Sequence, residues 1–303
     1  MSWPNGCMRR QEPLANHTSF RIGGPAEWFA EPSTQEELVA LLREAARMGV
    51  PVSVVGGGTN TLAADRGVRG LVVRLGRGFQ TLQELSAAEE PTVLVRCGAG
   101  LSTQRLVLLA ARLGWGELEA LAGLPGRIGG AVVMNAQEIG RWVQGIRLVS
   151  SDGTVSRWSR DQLRFHYRDA ALAPGIVMDV LLRFPRVHPA EARERIQRAL
   201  DYRNSTQDTR LPSAGCAFKN PPCLAGRQAG VGAGRLIDQA GLKGSRIGDA
   251  QVSFRHANFI VNLGHATCDD VLSLMEHIQR RVFQRFGMRL EPEVRFLGER
   301  WNR

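Results

Sequence analysis

Lysine is almost absent from this chain. Of 39 basic residues, Lys219 and Lys243 are the only lysines; the other 37 are arginines. A chain that uses the planar guanidinium nearly everywhere keeps a compact ammonium at two positions. Both lie in or beside glycine-bearing segments that read as site loops. Tyrosine is as scarce, at two residues, so interleaved stacking platforms for nucleic acid are not expected. No run of about 18 apolar residues occurs, so no membrane-spanning helix is expected. The N-terminus carries charge with no apolar stretch behind it, which does not read as a secretory leader. The five cysteines, Cys7, Cys97, Cys216, Cys223 and Cys268, are odd in number and scattered, with no CxxC. That argues against a zinc site, any other metal site and a disulfide framework, and for a reducing cytoplasm.

What is present is an ordinary globular composition, 43% hydrophobic and 22% charged over 303 residues. That length is a prior of about two domains. The net charge of +10 has two readings, nucleic acid or a phosphorylated small substrate in a basic cleft. The basic residues form no dense tract, which favours the second.

Helix and strand signals alternate along the first third. Ser33 to Glu36 reads as a capping box, Leu38, Leu41, Leu42 and Ala45 follow helical spacing, and Gly49 stops the helix. Val52 to Val55 reads as a buried strand, with further strands at 71–73 and 93–95. Ser102 to Leu113 reads as a helix with Leu106, Leu109 and Leu113 on one face, closed by Gly114. Strands at 146–150 and 154–158 flank Asp152-Gly153, a hairpin signal, and 176–182 is another strand. Helical pattern returns from Pro189 to about Arg203, and a polar connection, 204–213, marks a boundary. Beyond it lie a glycine-rich stretch (226–248), a strand at 259–263, a helix from Thr267 to Phe286 capped by Thr267 and Asp270, and a strand at 293–297. The class is α+β, with a smaller C-terminal domain.

Two loops can hold an anion or a flat ligand. Gly56, Gly57, Gly58, Thr59 and Asn60 follow a strand; three glycines allow close backbone approach and aim amides at one anion. The Rossmann fingerprint fails at Thr61, and neither lysine is followed by Ser or Thr, so a Walker A loop is excluded. The second loop contains Gly123, Pro125, Gly126, Gly129, Gly130 and Ala131. Two such loops without the Rossmann fingerprint point to a dinucleotide held by another fold. Plain structural turns are the alternative.

Taken in order, Val55 to Asn60, Gly123 to Asn135, Tyr167-Arg168, Ala214 to Pro221 and Glu293 to Gly298 resemble the UDP-N-acetylenolpyruvoylglucosamine reductase (MurB) family of peptidoglycan precursor synthesis. His17 to Pro25, Gly241 to Ser245 and His256 to Asn262 match as well, so the resemblance covers about 15–298. It implies an FAD-binding fold of the vanillyl-alcohol-oxidase type in two α+β subdomains, followed by a C-terminal α+β substrate domain. The corresponding boundaries are 1–75, 76–204 and 205–303. The length resembles the shorter type II members. The implied reaction is NADPH-dependent reduction of the enolpyruvyl ether of UDP-N-acetylglucosamine enolpyruvate to UDP-N-acetylmuramate, with FAD as cofactor, in a cytoplasmic monomer.

The resemblance places the proton donor, usually serine and sometimes cysteine, at Cys216. An ordinary thiol, of pKa about 8.5, is mostly protonated at neutral pH and is a far better acid than a hydroxyl. For the other four cysteines a small buried hydrophobe is the expected role. Arg168 and Glu293 match the active-site arginine and glutamate: the first can bind the substrate carboxylate, the second can hold a proton or orient the arginine. Tyr167, Lys219 and Asn220 are implied substrate contacts, while His17, His166 and His256 have no metal spacing and read as structural or as supports of the site. The chain departs from the family in having Ala170 where serine is common. It also has Ala-Gln-Glu-Ile-Gly (136–140) where Ala-Gly-Ala-Tyr-Gly is usual, which bears on local flavin contacts. A related FAD oxidoreductase acting on another alcohol or lactone, and a basic nucleic-acid binder, are the competing readings.

Overall fold

A computed structural model describes Trp3 and residues 8–86, 90–208, 210–222 and 232–298. Cys7, Cys223, most of the N-terminal segment and the first part of the glycine-rich stretch (226–231) lie outside the described residues. In chain order the strands are β1 (Met8–Pro13), β2 (Pro25–Ala30), β3 (Val52–Val54), β4 (Thr61–Ala63), β5 (Val68–Val73), β6 (Leu82–Glu84), β7 (Thr92–Gly98), β8 (Val143–Val149), β9 (Val155–Ser159), β10 (Ile176–Pro185), β11 (Ser213–Cys216), β12 (Arg246–Ile247), β13 (Ala250–Val252), β14 (Phe259–Asn262) and β15 (Arg295–Leu297). The helices are α1 (Gln35–Arg47), α2 (Thr103–Leu113), α3 (Ile128–Val133), α4 (Pro189–Thr206), α5 (Ala233–Gln239) and α6 (Cys268–Phe286).

The chain forms two interleaved units. Unit one takes 1–10, 28–57 and 70–203; unit two takes 11–27, 58–69 and 204–303. A four-stranded sheet runs β1-β2-β5-β3.

Unit one is built on an antiparallel sheet of order β6-β7-β10-β8-β9. The Asp152-Gly153 turn joins β8 to β9 as the hairpin signal requires, with Gly153 at φ +80. One core gathers Val93, Val95, Val180, Leu182 and Phe184 of the sheet with Leu106, Val107 and Ala110 of α2. The buried face of α2 is therefore Leu106, Val107 and Ala110, while Leu113 is exposed. The expected stripe through Leu109 and Leu113 is displaced because Thr103, fully buried at the helix start, sets the rotation. A second core packs Leu38, Leu41, Leu42 and Ala45 of α1 on Leu71, Val73, Ile176 and Met178. The capping box of α1 is Thr34 with Glu37, one residue later than expected; Glu37 also accepts from the Ser33 amide at 2.6 Å.

Unit two has a sheet of order β11-β14-β13-β12, covered by α5 and α6, and a parallel pair β15-β4. Its core includes Phe218, Leu236, Ile237, Ile260, Leu274 and Ile278. Thr267 and Asp270 form the expected capping box of α6, and the Asp65 carboxylate accepts from the Cys268 and Asp269 amides at 2.8 and 3.2 Å. Among the described residues no helix is long and apolar enough to cross a membrane.

Candidate active site

In unit one the two glycine loops meet. A Cβ on Gly57 would sit 2.8 Å from the Cα of Gly126, so neither loop tolerates a side chain there without moving. The second loop is strapped down. Thr103 donates its hydroxyl to the Leu124 carbonyl at 2.5 Å and its amide to the Gly126 carbonyl at 3.2 Å; Ile128 donates to Leu101 at 2.9 Å. Gly129 and Gly123 are packing glycines: a Cβ would meet Ala99 at 2.9 Å in the first case and Arg203 at 2.9 Å in the second. Gly130 is different. It is exposed, and nothing lies within 4 Å of where its Cβ would be. Pro125 is exposed, and Ala131, next to Gly130 in the chain, is buried.

Arg127, between these glycines, is a residue that sequence reasoning passed over. Its Nη1 donates to the Gly100 carbonyl at 2.7 Å. Burial, with Arg74 nearby, pushes its pKa below the ordinary guanidinium value, and Glu31 opposes that shift.

Tyr167 and Arg168 sit on a tight turn bridged by His166 and Asp169. Arg168 takes φ +60 and holds its guanidinium 5.3 Å from the centroid of the Tyr167 ring. The preceding segment supports the turn: Asn135 donates from Nδ2 to the His166 carbonyl at 2.9 Å and accepts from the Gly140 amide at 2.9 Å. Gln137 and Glu138 both adopt positive φ, at 50 and 56.

Unit two gathers residues that are far apart in sequence. Cys216 closes β11 opposite Phe259, partly exposed, after Gly215 at φ +74. The chain beyond it runs antiparallel to 291–293. Glu293 donates its amide to the Ala217 carbonyl at 2.8 Å, and Lys219 donates its amide to the Glu291 carbonyl at 2.9 Å. From the other side Asn60 donates from Nδ2 to the Glu293 carbonyl at 3.1 Å and accepts from the Arg295 amide at 3.0 Å. The end of the first glycine loop, the residue after the cysteine and the C-terminal glutamate are thus joined by hydrogen bonds. Two buried asparagines add further bonds. Asn258 accepts from the Phe218 amide at 3.0 Å and donates to its carbonyl at 2.8 Å. Asn262 donates to the Phe20 carbonyl at 2.9 Å. Ser19 donates its amide to the Gly58 carbonyl at 3.1 Å, and a Cβ on Gly58 would overlap the His17 carbonyl oxygen, which explains the glycine at φ +64. Thr59 links Gly58 to Asn60 and is partly exposed.

The two lysines are less deeply placed. Lys219 Nζ is 3.5 Å from Glu291 Oε2, a half-exposed pair, and Lys243 Nζ is 2.8 Å from Asp238. Asn220 accepts from the Ala233 amide at 3.0 Å, at the start of α5. Of the histidines, His17 bonds Glu12 at 2.7 Å. The His256 ring packs 4.7 Å from Phe259, and burial, then Lys243, push its pKa below the ordinary value.

Cys97 and Cys268 are buried thiols, each pushed up to about 12 by burial. Among the described residues no cluster of three His, Cys, Asp or Glu can hold a metal ion. A groove of about 490 Å³ on the open face of the five-stranded sheet, between Arg96, Arg147, Arg157 and Trp158, is lined by none of the candidate residues.

Residues 26–159 match the FAD binding domain family, and residues 206–297 match the C-terminal domain family of UDP-N-acetylenolpyruvoylglucosamine reductase. The chain is 42% identical to UDP-N-acetylenolpyruvoylglucosamine reductase 2 of Symbiobacterium thermophilum over 97% of its own length and 93% of the relative's. It is 43% identical to the reductase of Syntrophotalea carbinolica, covering 95% and 93%. The crystal structure of the reductase from Thermus caldophilus superposes with a TM-score of 0.77 at 37% identity, covering 96% of this chain and 99% of that one. The molecule is therefore an FAD-dependent oxidoreductase, an α+β flavoenzyme with a C-terminal domain. It belongs to the UDP-N-acetylenolpyruvoylglucosamine reductase (MurB) family.

Proposed function

We propose that the chain reduces the enolpyruvyl ether of UDP-N-acetylglucosamine enolpyruvate to UDP-N-acetylmuramate at the expense of NADPH, in peptidoglycan precursor synthesis. The residues present suit FAD: the Gly57–Gly126 contact and the open Gly130 leave bare backbone where a side chain would intrude. Gly56, Gly57, Gly58, Thr59 and Asn60, with Pro125, Gly126, Gly130 and Ala131, would hold it, and Gly123 and Gly129 keep the second loop's path. When bound, FAD supplies hydride transfer to the alkene of the substrate.

The chain's own residues supply the proton and the countercharge. Addition of hydride at one carbon leaves enolate character at its neighbour, next to the substrate carboxylate. Cys216 Sγ gives its proton to that carbon and is left as thiolate until it is reprotonated. A thiol does this at lower cost than a hydroxyl, because its conjugate base is more stable. Arg168 binds the carboxylate and stabilises charge growing into it. Glu293, its backbone bonded to Ala217, holds a proton or orients the arginine. Tyr167, Lys219 and Asn220 contact the nucleotide sugar; the half-exposed Lys219–Glu291 pair leaves the ammonium able to turn to a diphosphate. The functional division is 1–75 and 76–204 for FAD and 205–303 for substrate, in a cytoplasmic monomer.

The observation that carries this reading is the joining of Asn60, Cys216-Ala217 and Glu293, which no local pattern links. The test is substrate-dependent oxidation of NADPH by the purified yellow protein. Oxidation only when the enolpyruvyl nucleotide is present supports it; equal oxidation with simple alcohols or lactones, or a colourless protein, overturns it.

A further inference from the structure

Strands β3 and β5 run parallel, with Val54 paired to Val73 at their carboxyl ends. Such ends are where open α/β arrangements receive ligands. The Val55 amide donates to the Val73 carbonyl at 3.0 Å, which brings Gly56 level with Arg74. One residue on, Gly57 meets Gly126, and that contact brings Arg127 to the same end: a Cβ on Gly56 would lie 3.9 Å from the Cβ of Arg127. Two arginines from separate segments therefore flank the first glycine loop.

Their carboxylate partners differ. Glu31, at the end of β2, is bonded by Arg9 and lies 3.6 Å from Arg74. Glu31 thus pairs with Arg9 and Arg74, and acts on Arg127 only from a distance. Arg147, in the same unit, shows how a structural arginine is satisfied. Its Nε donates to the Asp179 carboxylate at 2.5 Å and its Nη1 to Gln35 at 3.1 Å. Among the described residues Arg127 has a carbonyl partner and no carboxylate within ion-pair reach. A half-buried cation without countercharge is costly unless an anion joins it.

We propose that Arg127, with Arg74 beside it, supplies the countercharge for the diphosphate bridge of FAD; this rests on the FAD reading above. A diphosphate diester carries one negative charge on each phosphorus, and such a charge would give Arg127 the anionic partner that its carbonyl contact does not. The glycine loop gives amides and close approach, and the arginines give charge-assisted hydrogen bonds. Arg127 is thus a cofactor-positioning residue with no part in the proton transfer.

The test is binding of FAD and of riboflavin, which lacks phosphate, to the full chain freed of flavin, at several salt concentrations. Arg127→Gln should weaken FAD binding about 10- to 100-fold, the range for loss of a charged hydrogen bond. It should leave riboflavin affinity unchanged and flatten the salt dependence of FAD binding. Arg127→Lys keeps the charge and should keep most of that salt dependence, which guards against a misfolded glutamine variant. Equal weakening of both flavins would mean that Arg127 only packs the loop, and would overturn the proposal. So would unchanged FAD affinity with a raised KM for NADPH, which would assign the charge to the hydride donor. A wild-type chain that binds neither flavin would instead remove the FAD reading itself.

Discussion

The two units hold their candidate residues by opposite means. In unit one the surface is made by omission: Gly57 and Gly126 touch through backbone, and Gly130 presents backbone to open space. In unit two the placement is made by side-chain amides. Asn60 grips Glu293, Asn258 grips both polar groups of Phe218, and Asn262 grips Phe20. A carboxamide that donates and accepts can fix a strand end that has no ladder partner. The contrast separates two tasks. Holding a large cofactor needs room and amides, whereas placing a single reacting atom needs a backbone that cannot drift.

The sharpest way to break the contrast is to remove the proposed proton donor and leave its support. Cys216→Ala should lower turnover by about 100-fold or more, the range for a lost general acid. Reduction of bound flavin by NADPH should stay at the wild-type rate, because that step needs no proton from this thiol. Cys216→Ser should keep substantial activity. Stopped-flow bleaching of the flavin, followed by reoxidation with substrate, reads the halves separately; wild-type reoxidation in the alanine variant would put the donor elsewhere. Cys97 and Cys268 are internal controls, since both are buried and pushed up to about 12, and neither is partly exposed at a strand end as Cys216 is.

Unit one is tested by adding side chains. Gly57→Val drives a branched carbon into Gly126, and should destabilise the fold by about 1–3 kcal/mol as well as expel flavin. Gly130→Val meets nothing within 4 Å, so its melting temperature without flavin should match wild type while flavin content falls. Flavin released from the folded protein by heat measures the content. A Gly130→Val protein with its full complement of FAD would show that this open backbone does not face the cofactor.

The local elements of both units were legible, with small offsets. The hairpin at Asp152-Gly153, the α6 box and the termination of α1 near Gly49 follow from chemistry within a few residues. The α1 box moved from Ser33 to Thr34 because either hydroxyl residue can begin a helix and only the backbone decides. The unit-two constellation was legible only as separate motifs. Nothing periodic links Asn60 to Glu293 across 233 positions, and their hydrogen bonds are isolated contacts outside any long ladder. Arg127 was hidden for another reason: in a chain with 37 arginines, one more carries no signal until its partners are seen.

A third prediction concerns His256, whose ring packs against Phe259, the residue paired with Cys216. Burial holds its folded pKa below its ordinary 6.5, so the unfolded chain binds more protons in that region. Stability therefore rises with pH there. The contribution is fully present above about 6.5 and is lost as pH falls through that value toward the folded pKa. Thermal melts should show a midpoint that declines below this pH in wild type and declines less in His256→Gln. An equal decline in both would exclude this histidine as the cause. The shifted groups of unit one, Glu44, Arg47, Cys97, Arg127 and Asp152, are carboxylates, guanidinium groups and a buried thiol that titrate away from this pH, so the effect should follow unit-two probes such as protection of the 259–262 amides.

The smallest effect lies in the segment 136–140, where the sequence reading expects a departure from the family pattern. Gln137 and Glu138 both occupy left-handed backbone, at φ 50 and 56, within the segment that supports the Tyr167-Arg168 turn through Asn135. A residue with a Cβ is strained in that region by about 1–2 kcal/mol, and glycine is not. Glycine also enlarges the freedom of the unfolded chain, which offsets part of the relief, by about 0.5–1 kcal/mol. Gln137→Gly should therefore stabilise the protein by about 0.5 kcal/mol, read as a small upward shift of the urea midpoint with an unchanged slope. Because Asn135 bonds both the His166 carbonyl and the Gly140 amide, the turn's geometry should survive the change, and KM for the enolpyruvyl nucleotide should stay constant. A rise in KM with no gain in stability would mean that the glutamine side chain itself touches the ligand, and that unit one, like unit two, places part of its site by side chain.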